Sequence, residues 1–305
     1  MSLDEAKNRI DLLNHFDYSL RLFESNYQEL ISVINFMTDE RVGLELFAVI
    51  NRWKLVEVLT HLGFKLHNYV CAAKSLVDHS RVLYRRVYTE KAPKFDDYEA
   101  EVKARFEENS LSKFVEFLRT YCQHEKLPSI GSSMSFDSHS DEGFIFTVTA
   151  SSSELLKSSS IKSQAKKFIR EQDGDINVRK VIDSYHTQVT EFYQWVRARQ
   201  QELHSQDLLI VDRYYQEERI KTINNFIDSY PIYEKSGTVK EQLCTILSRD
   251  TYRELDQYKD DEVMWLECAI AVIEGDVVLP DAIKTSLRSK LENKKHGTGT
   301  LKTGV

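Results

Sequence analysis

Residues that break helices are scarce, with ten glycines and four prolines among 305 residues, against average usage of about 7% and 5%. Long helices are the expectation that follows. Cysteine is equally sparse. Cys71, Cys122, Cys244 and Cys268 lie far apart, each in an apolar helical context, so no close metal-ligand pair exists and all four read as reduced core thiols. A basic surplus is also missing. The formal net charge is −7, which argues against a protein whose main task is to coat nucleic acid or anionic lipid. No basic, apolar leader opens the chain and no segment approaches the ~20 apolar residues of a membrane span. A cytoplasmic protein without a membrane partner is therefore expected.

Most catalytic signatures are absent too. There is no Walker A loop, GxGxxG, HExxH, CxxC or GxSxG motif. A di-iron bundle needs inward Glu-x-x-His pairs, and no histidine here has a glutamate three residues before it; only Asp183 stands there, ahead of His186. No cofactor or metal is expected. The chain is more readily a non-enzyme than an enzyme.

What the sequence does contain is an apolar stripe spaced alternately four and three: Leu55, Leu59, Leu62, Leu66, Tyr69, Ala73, Leu76, Ser80, Leu83 and Val87. Such spacing predicts one long helix with a narrow packing seam, entered from a helical run that starts near Leu44. A second stripe, Val178, Ile182, Tyr185, Val189, Phe192, Val196 and Leu203, carries Arg199 where an apolar residue belongs; its helix, capped by Asp175, is expected to supply the first seam's partner. Residues 10 to 38 fit one or two amphipathic helices. Ser110 or Ser112 is the expected cap of a helix ending at Pro128. Trp53, Trp195 and Trp265 sit in apolar helical patterns and read as core or interface anchors.

Between Ser129 and Ser151 the pattern changes. Gly143-Phe-Ile-Phe-Thr-Val-Thr149 is rich in β-branched and aromatic residues and predicts one arm of a β-hairpin. The polar loop from Asp137 to Glu142 reads as the hairpin tip, although its one histidine and three carboxylates also suit a divalent cation. The expected fold is all-α, a long-helix bundle with a small β-hairpin insertion around residues 129–150. Its expected divisions are a main bundle over 1–230, a small C-terminal helical segment over 231–292 following Pro231, and a disordered tail over 293–305.

Two groups of residues carry functional potential. Arg119-Thr-Tyr-Cys-Gln-His124 resembles the R-x(4-6)-H motif of the HEPN superfamily, all-helical domains that include RNases of toxin and defence systems. The resemblance covers one helix. It implies that Arg119 and His124, paired across a homodimer, form a composite metal-independent site, with the histidine as acid or base and the arginine holding the scissile phosphate. The same spacing recurs at Arg9/His15, Arg179/His186 and Arg199/His204, so the alternative stays open that Arg119 is a surface residue and His124 a helix-terminal one complementing the dipole. The segments Leu66–Arg81 and Phe114–Pro128 are also similar to stretches of prokaryotic helical proteins, a likeness that implies no activity.

The second group is the polar stripe His67, Lys74, Asp78, Arg81 and Arg85, beside the apolar seam. It reads either as a phosphate-binding or interface stripe, or as a solvated helix face with ordinary ion pairs. Two functions are thus in play: an interaction or assembly protein working through heptad seams or Tyr-rich faces, with a protein partner or a second copy of itself; or a HEPN-like RNase or nucleotide-binding protein, with RNA as partner.

Overall fold

The computed structural model describes residues 2–88, 95–136 and 143–297, and divides the chain into two compact units, Met1–Asp207 and Leu208–Val305. The architecture is all-α with a small sheet. In the first unit, α1 (Leu3–Thr38), α2 (Glu40–Phe47), α3 (Arg52–Val87), α4 (Tyr98–Val102), α5 (Ser110–His124), α6 (Ser152–Leu155), α7 (Ser163–Arg170) and α8 (Val178–Leu203) accompany β1 (Ile130–Phe136), β2 (Phe144–Ala150) and β3 (Ile176–Asn177). The hairpin is present as expected and gains a third strand, giving an antiparallel sheet of order β1-β2-β3 with Ile130 opposite Ala150 and Ala150 opposite Ile176. The loop 137–142, proposed above as a hairpin tip, lies outside the described residues.

The predicted seam is one face of α3. Leu62, Leu66, Tyr69, Ala73, Leu76, Ser80, Leu83 and Val87 are buried, while Leu55 and Leu59 pack half-buried against the same core. Its main partner is α1, a single 36-residue helix, and not α8. The Ser19–His79 hydrogen bond (2.7 Å), the Lys65–Glu29 ion pair (2.7 Å) and the Phe23–Tyr69 ring contact (5.2 Å) show the two helices to be antiparallel. Full burial of Phe23, Leu30, Ile34, Leu62 and Leu66 supplies the core of that seam, each such side chain contributing about 1.5–3 kcal/mol. The second stripe is buried from Val178 to Val196, with Leu203 half-buried against the same core, and α8 lies across both partners: Phe16 meets Tyr193 at 4.9 Å, and the Tyr193 hydroxyl donates to Ser80 Oγ at 3.1 Å.

Local chemistry corrects several expectations. The run from Leu44 does not continue into α3, because Ala48 turns extended and residues 49–51 form a 3₁₀ turn. Asn109, not Ser110 or Ser112, caps α5, and Asn177 rather than Asp175 caps α8; Asp175 instead accepts from the Ser152 amide at 2.9 Å. Asn fills either role because its short carbonyl reaches the exposed amides of the first turn. Gly43 is required by close approach: a Cβ there would lie 2.7 Å from the Phe146 ring, where α2 rests on β2.

In the second unit, α9 (Ser205–Tyr233) arrives from the first, and α10 (Val239–Leu243), α11 (Arg249–Leu255), α12 (Glu262–Glu274) and α13 (Asp281–Gly297) follow. Trp265, Leu243, Ala269, Ile273 and Leu287 form the centre of its core. The compact units part at Asp207/Leu208 rather than at 230, because α9 continues through Pro231, which sits in its last turn. The expected tail begins within α13, and residues 298–305 lie outside the described residues. Cys244 is exposed, contrary to its reading as a core thiol.

At the end of the first unit a polar network is buried. His204 Nδ1–H donates to Asp207 at 3.1 Å, the Tyr88 hydroxyl donates to His204 Nε2 at 3.1 Å, and Arg9 Nε pairs with Asp207 at 3.2 Å. Burial pushes the imidazole below its ordinary value, against the opposing pull of Asp207. The folded state therefore favours neutral His204. Its contribution is intact above the unfolded value near 6.5 and is lost as pH falls toward the lower folded value. Urea unfolding at pH 7.5 and 5.5 should show lower stability at 5.5, with a smaller drop in His204→Gln; an equal drop in both proteins refutes the assignment.

Candidate functional site

Two faces of α3 other than its seam carry the features of interest. On the first, Val70, Lys74, Val77 and Arg81 recur at three- and four-residue intervals and so point the same way. Opposite them α5 presents Ser112, Val115, Glu116 and Arg119, again on one face. Between them lies a cleft of about 280 Å³. Phe106 and Glu107 close one side, and the floor is apolar, with Val70, Ala73, Val77 and Tyr185.

The wall bearing Phe106 is built by a π turn over Lys103–Glu107, in which the Glu108 amide reaches back five residues to the Lys103 carbonyl at 3.0 Å. Widening the helix there releases the Arg105 carbonyl. It accepts from Ser112 Oγ at 3.0 Å and from Gln188 Nε2 at 2.5 Å, tying the wall to α5 and α8. Turns of this kind commonly mark functional positions. Nothing in the sequence of residues 103–107 announces it.

Charge in the cleft is uneven. Lys74, Arg81, Lys113 and Arg119 line it, against Glu107 and Glu116, in a chain of net charge −7. Lys74 is bound by Asp78 at 2.6 Å and Lys113 by Glu116 at 3.0 Å. Burial acts to raise the Glu116 carboxyl, yet Lys113 bonded to it, with Lys162 and Lys74 nearby, holds it below the usual carboxylate range. Arg81 and Arg119 have no hydrogen-bond or ion-pair partner among the described residues, and Arg119 Nε is buried. Arg199 Nε is likewise buried without an acceptor, so what sets Arg119 apart among the four arginines of the recurring motif is that none of its nitrogens has a partner among the described residues. Arg9 is held by Asp207, Arg179 by Asp183 and the Asn35 side chain, and Arg199 by Glu202 and Asp97.

The structure thus brings Lys74, Arg81 and Arg119, drawn from two separate sequence patterns, into one cleft. His124 is not in it. It is exposed at the last position of α5, about 140° round the helix from Arg119 by the 3.6-residue period. Asp78 faces solvent while holding Lys74; His67 contacts Cys71 at 3.7 Å, and Arg85 is exposed beyond Arg81. Among the described residues no group of three His, Cys, Asp or Glu side chains is placed to hold a metal ion.

The other face was missed in the sequence. Val49, Ile50 and Trp53 are 91%, 83% and 64% exposed, and Val56 and Phe64 continue the stripe along α3. Trp53, Val56, Thr60 and Phe64 fall within one narrow arc, roughly opposite the buried seam at about 100° per residue. Phe36 and Val33 of α1 join Phe64 and His61 along a shallow groove of about 750 Å³. Trp265 is the core anchor that its pattern predicted and Trp195 packs half-buried against the core, whereas Trp53 is presented to solvent.

The chain matches no protein-family model, no curated protein and no solved structure. No helix among the described residues is long and apolar enough to cross a membrane.

An arginine whose buried N–H lacks an acceptor contributes nothing to stability through that atom and costs its desolvation. Arg119→Met should therefore leave the urea unfolding free energy unchanged or raise it by about 1 kcal/mol. Arg179→Met, which severs real partners, should lower it by about 1 kcal/mol. A larger loss in Arg119→Met than in Arg179→Met overturns this account.

Proposed function

We propose that this chain is a helical interaction protein that receives an amphipathic helix of a partner protein on the exposed face of α3. The observation that carries this reading is the row of exposed apolar side chains Val49, Ile50, Trp53, Val56 and Phe64, the last of which lines a groove with Val33 and Phe36 of α1. Single exposed apolar residues are ordinary, but several on one face of a helix, with a solvent-facing tryptophan among them, are what an interface displays. A groove between two long helices suits the helix-in-groove mode, where anchors spaced three, four and seven residues apart enter apolar hollows.

The test is photocrosslinking in the native cell with benzoylphenylalanine at position 53, and at Asp4 as a control. Discrete protein adducts at 53, absent at Asp4 and lost when Val56→Asp is added, are expected. Adducts of twice the chain mass, with a dimer in light scattering, make the partner a second copy. Equal labelling at both positions sinks the reading.

A second reading is favoured by Arg119 alone: its place among cations suits the HEPN-like reaction, in which Arg119 holds a scissile phosphate and His124 of another copy moves the proton. Separation of the two residues within one chain fits a composite site only if two copies supply it. Purified wild-type protein should then cleave labelled single-stranded RNA and His124→Ala of matched fold should not. Absence of cleavage in both, beside a working positive control, removes this reading.

A further inference from the structure

We infer that the α3–α5 cleft is a binding site for a small phosphate monoester with a compact apolar body, independent of the docking face and of any cleavage by His124. Three features of the cleft converge on that ligand. Arg81 and Arg119, the two lining cations without a partner among the described residues, match the two negative charges of a phosphate monoester, while the other two, Lys74 and Lys113, are already neutralised by Asp78 and Glu116. A guanidinium presents a planar fork that pairs with phosphate through parallel hydrogen bonds, and the buried, acceptorless Nε of Arg119 is a donor waiting for such an oxygen. Inorganic phosphate alone would leave the floor unused. Val70, Ala73, Val77, Phe106 and Tyr185 offer an apolar bed, the arrangement of a ligand pocket in which a few polar groups orient a largely apolar body.

Size sets the class. A volume of about 280 Å³ lies at the lower bound of small-molecule pockets and admits one ring or a short branched chain beside the phosphate. Glu107, a lining carboxylate with no ion-pair partner among the described residues, repels the further phosphates of a polymer, so a monoester is preferred to a nucleic-acid strand.

Phenyl phosphate is the probe, with inorganic phosphate and phenol as its separated halves, titrated calorimetrically into the full chain. Phenyl phosphate should bind with a dissociation constant below about 1 mM, at least about tenfold tighter than either half. Arg119→Gln and Arg81→Gln should each weaken it about tenfold or more, and added salt should weaken it in the wild type. Phe106→Leu should weaken phenyl phosphate and leave inorganic phosphate unchanged. As a second readout, the Arg119 Nε–H resonance, identified by its loss in Arg119→Gln, should shift on titration. No binding, or binding indifferent to both arginines, overturns the proposal. Equal affinity for inorganic phosphate reduces the cleft to a nonspecific anion patch and also overturns it. Tighter binding of an RNA oligonucleotide that depends on Arg119 replaces it with a nucleic-acid surface, and cleavage of that RNA would speak to His124 and not to this ligand.

Discussion

Burial of the α3 seam against α1 constrains everything else in the first unit. A helix offers only so many directions, and once Leu62, Leu66, Tyr69, Leu76 and Leu83 are turned toward Phe23, Leu30 and Ile34, the orientation of every other side chain on α3 is settled. Lys74 and Arg81 are carried toward α5 because they stand about a quarter-turn from the seam. Trp53, Val56 and Phe64 are carried to solvent because they stand opposite it. Neither face was chosen independently of the core.

The cleft and the exposed stripe depart from local consistency in different ways. In the cleft, Arg119 has a buried N–H without an acceptor and no ion-pair partner among the described residues, whereas Arg199, whose Nε is also buried without an acceptor, is held like Arg9 and Arg179 by carboxylates. On the stripe, apolar area is left in water although the opposite face of the same helix is packed. Folded proteins concentrate such departures where they bind something. The π turn at residues 103–107 belongs with them: it gives up regular helix geometry and in return positions Phe106 and Glu107 at the cleft wall.

Periodicity made the helical architecture legible. The stripes of α3 and α8 and the β-branched run of β2 each appear as predicted because one face of each is buried, and burial is what periodicity records. Pairing was less legible: an apolar stripe states that a helix needs a partner without naming it, and α1, whose pattern was diffuse, proved to be the one. Caps at Asn109 and Asn177 were misplaced by one to three residues, since Ser, Asn and Asp compete for the same role within each loop. Of the site, Arg119, Lys74 and Arg81 were visible as residues but their meeting was not, because it depends on the packing of α5 over α3. The Val49–Phe64 stripe escaped because only Trp53 of it was singled out, as a core or interface anchor, and hydrophobicity alone does not say which face is covered.

Because α3 runs without interruption from Arg52 to Val87, it also acts as a spacer. At 1.5 Å per residue, Trp53 and Arg81 stand about 40 Å apart along the helix. The exposed face ends at Phe64 and the cleft begins at Val70, about 9 Å further along the same helix, and the two share no lining residue. If both proposed ligands bind, their binding free energies add to a first approximation, and filling one place on α3 does not require emptying the other.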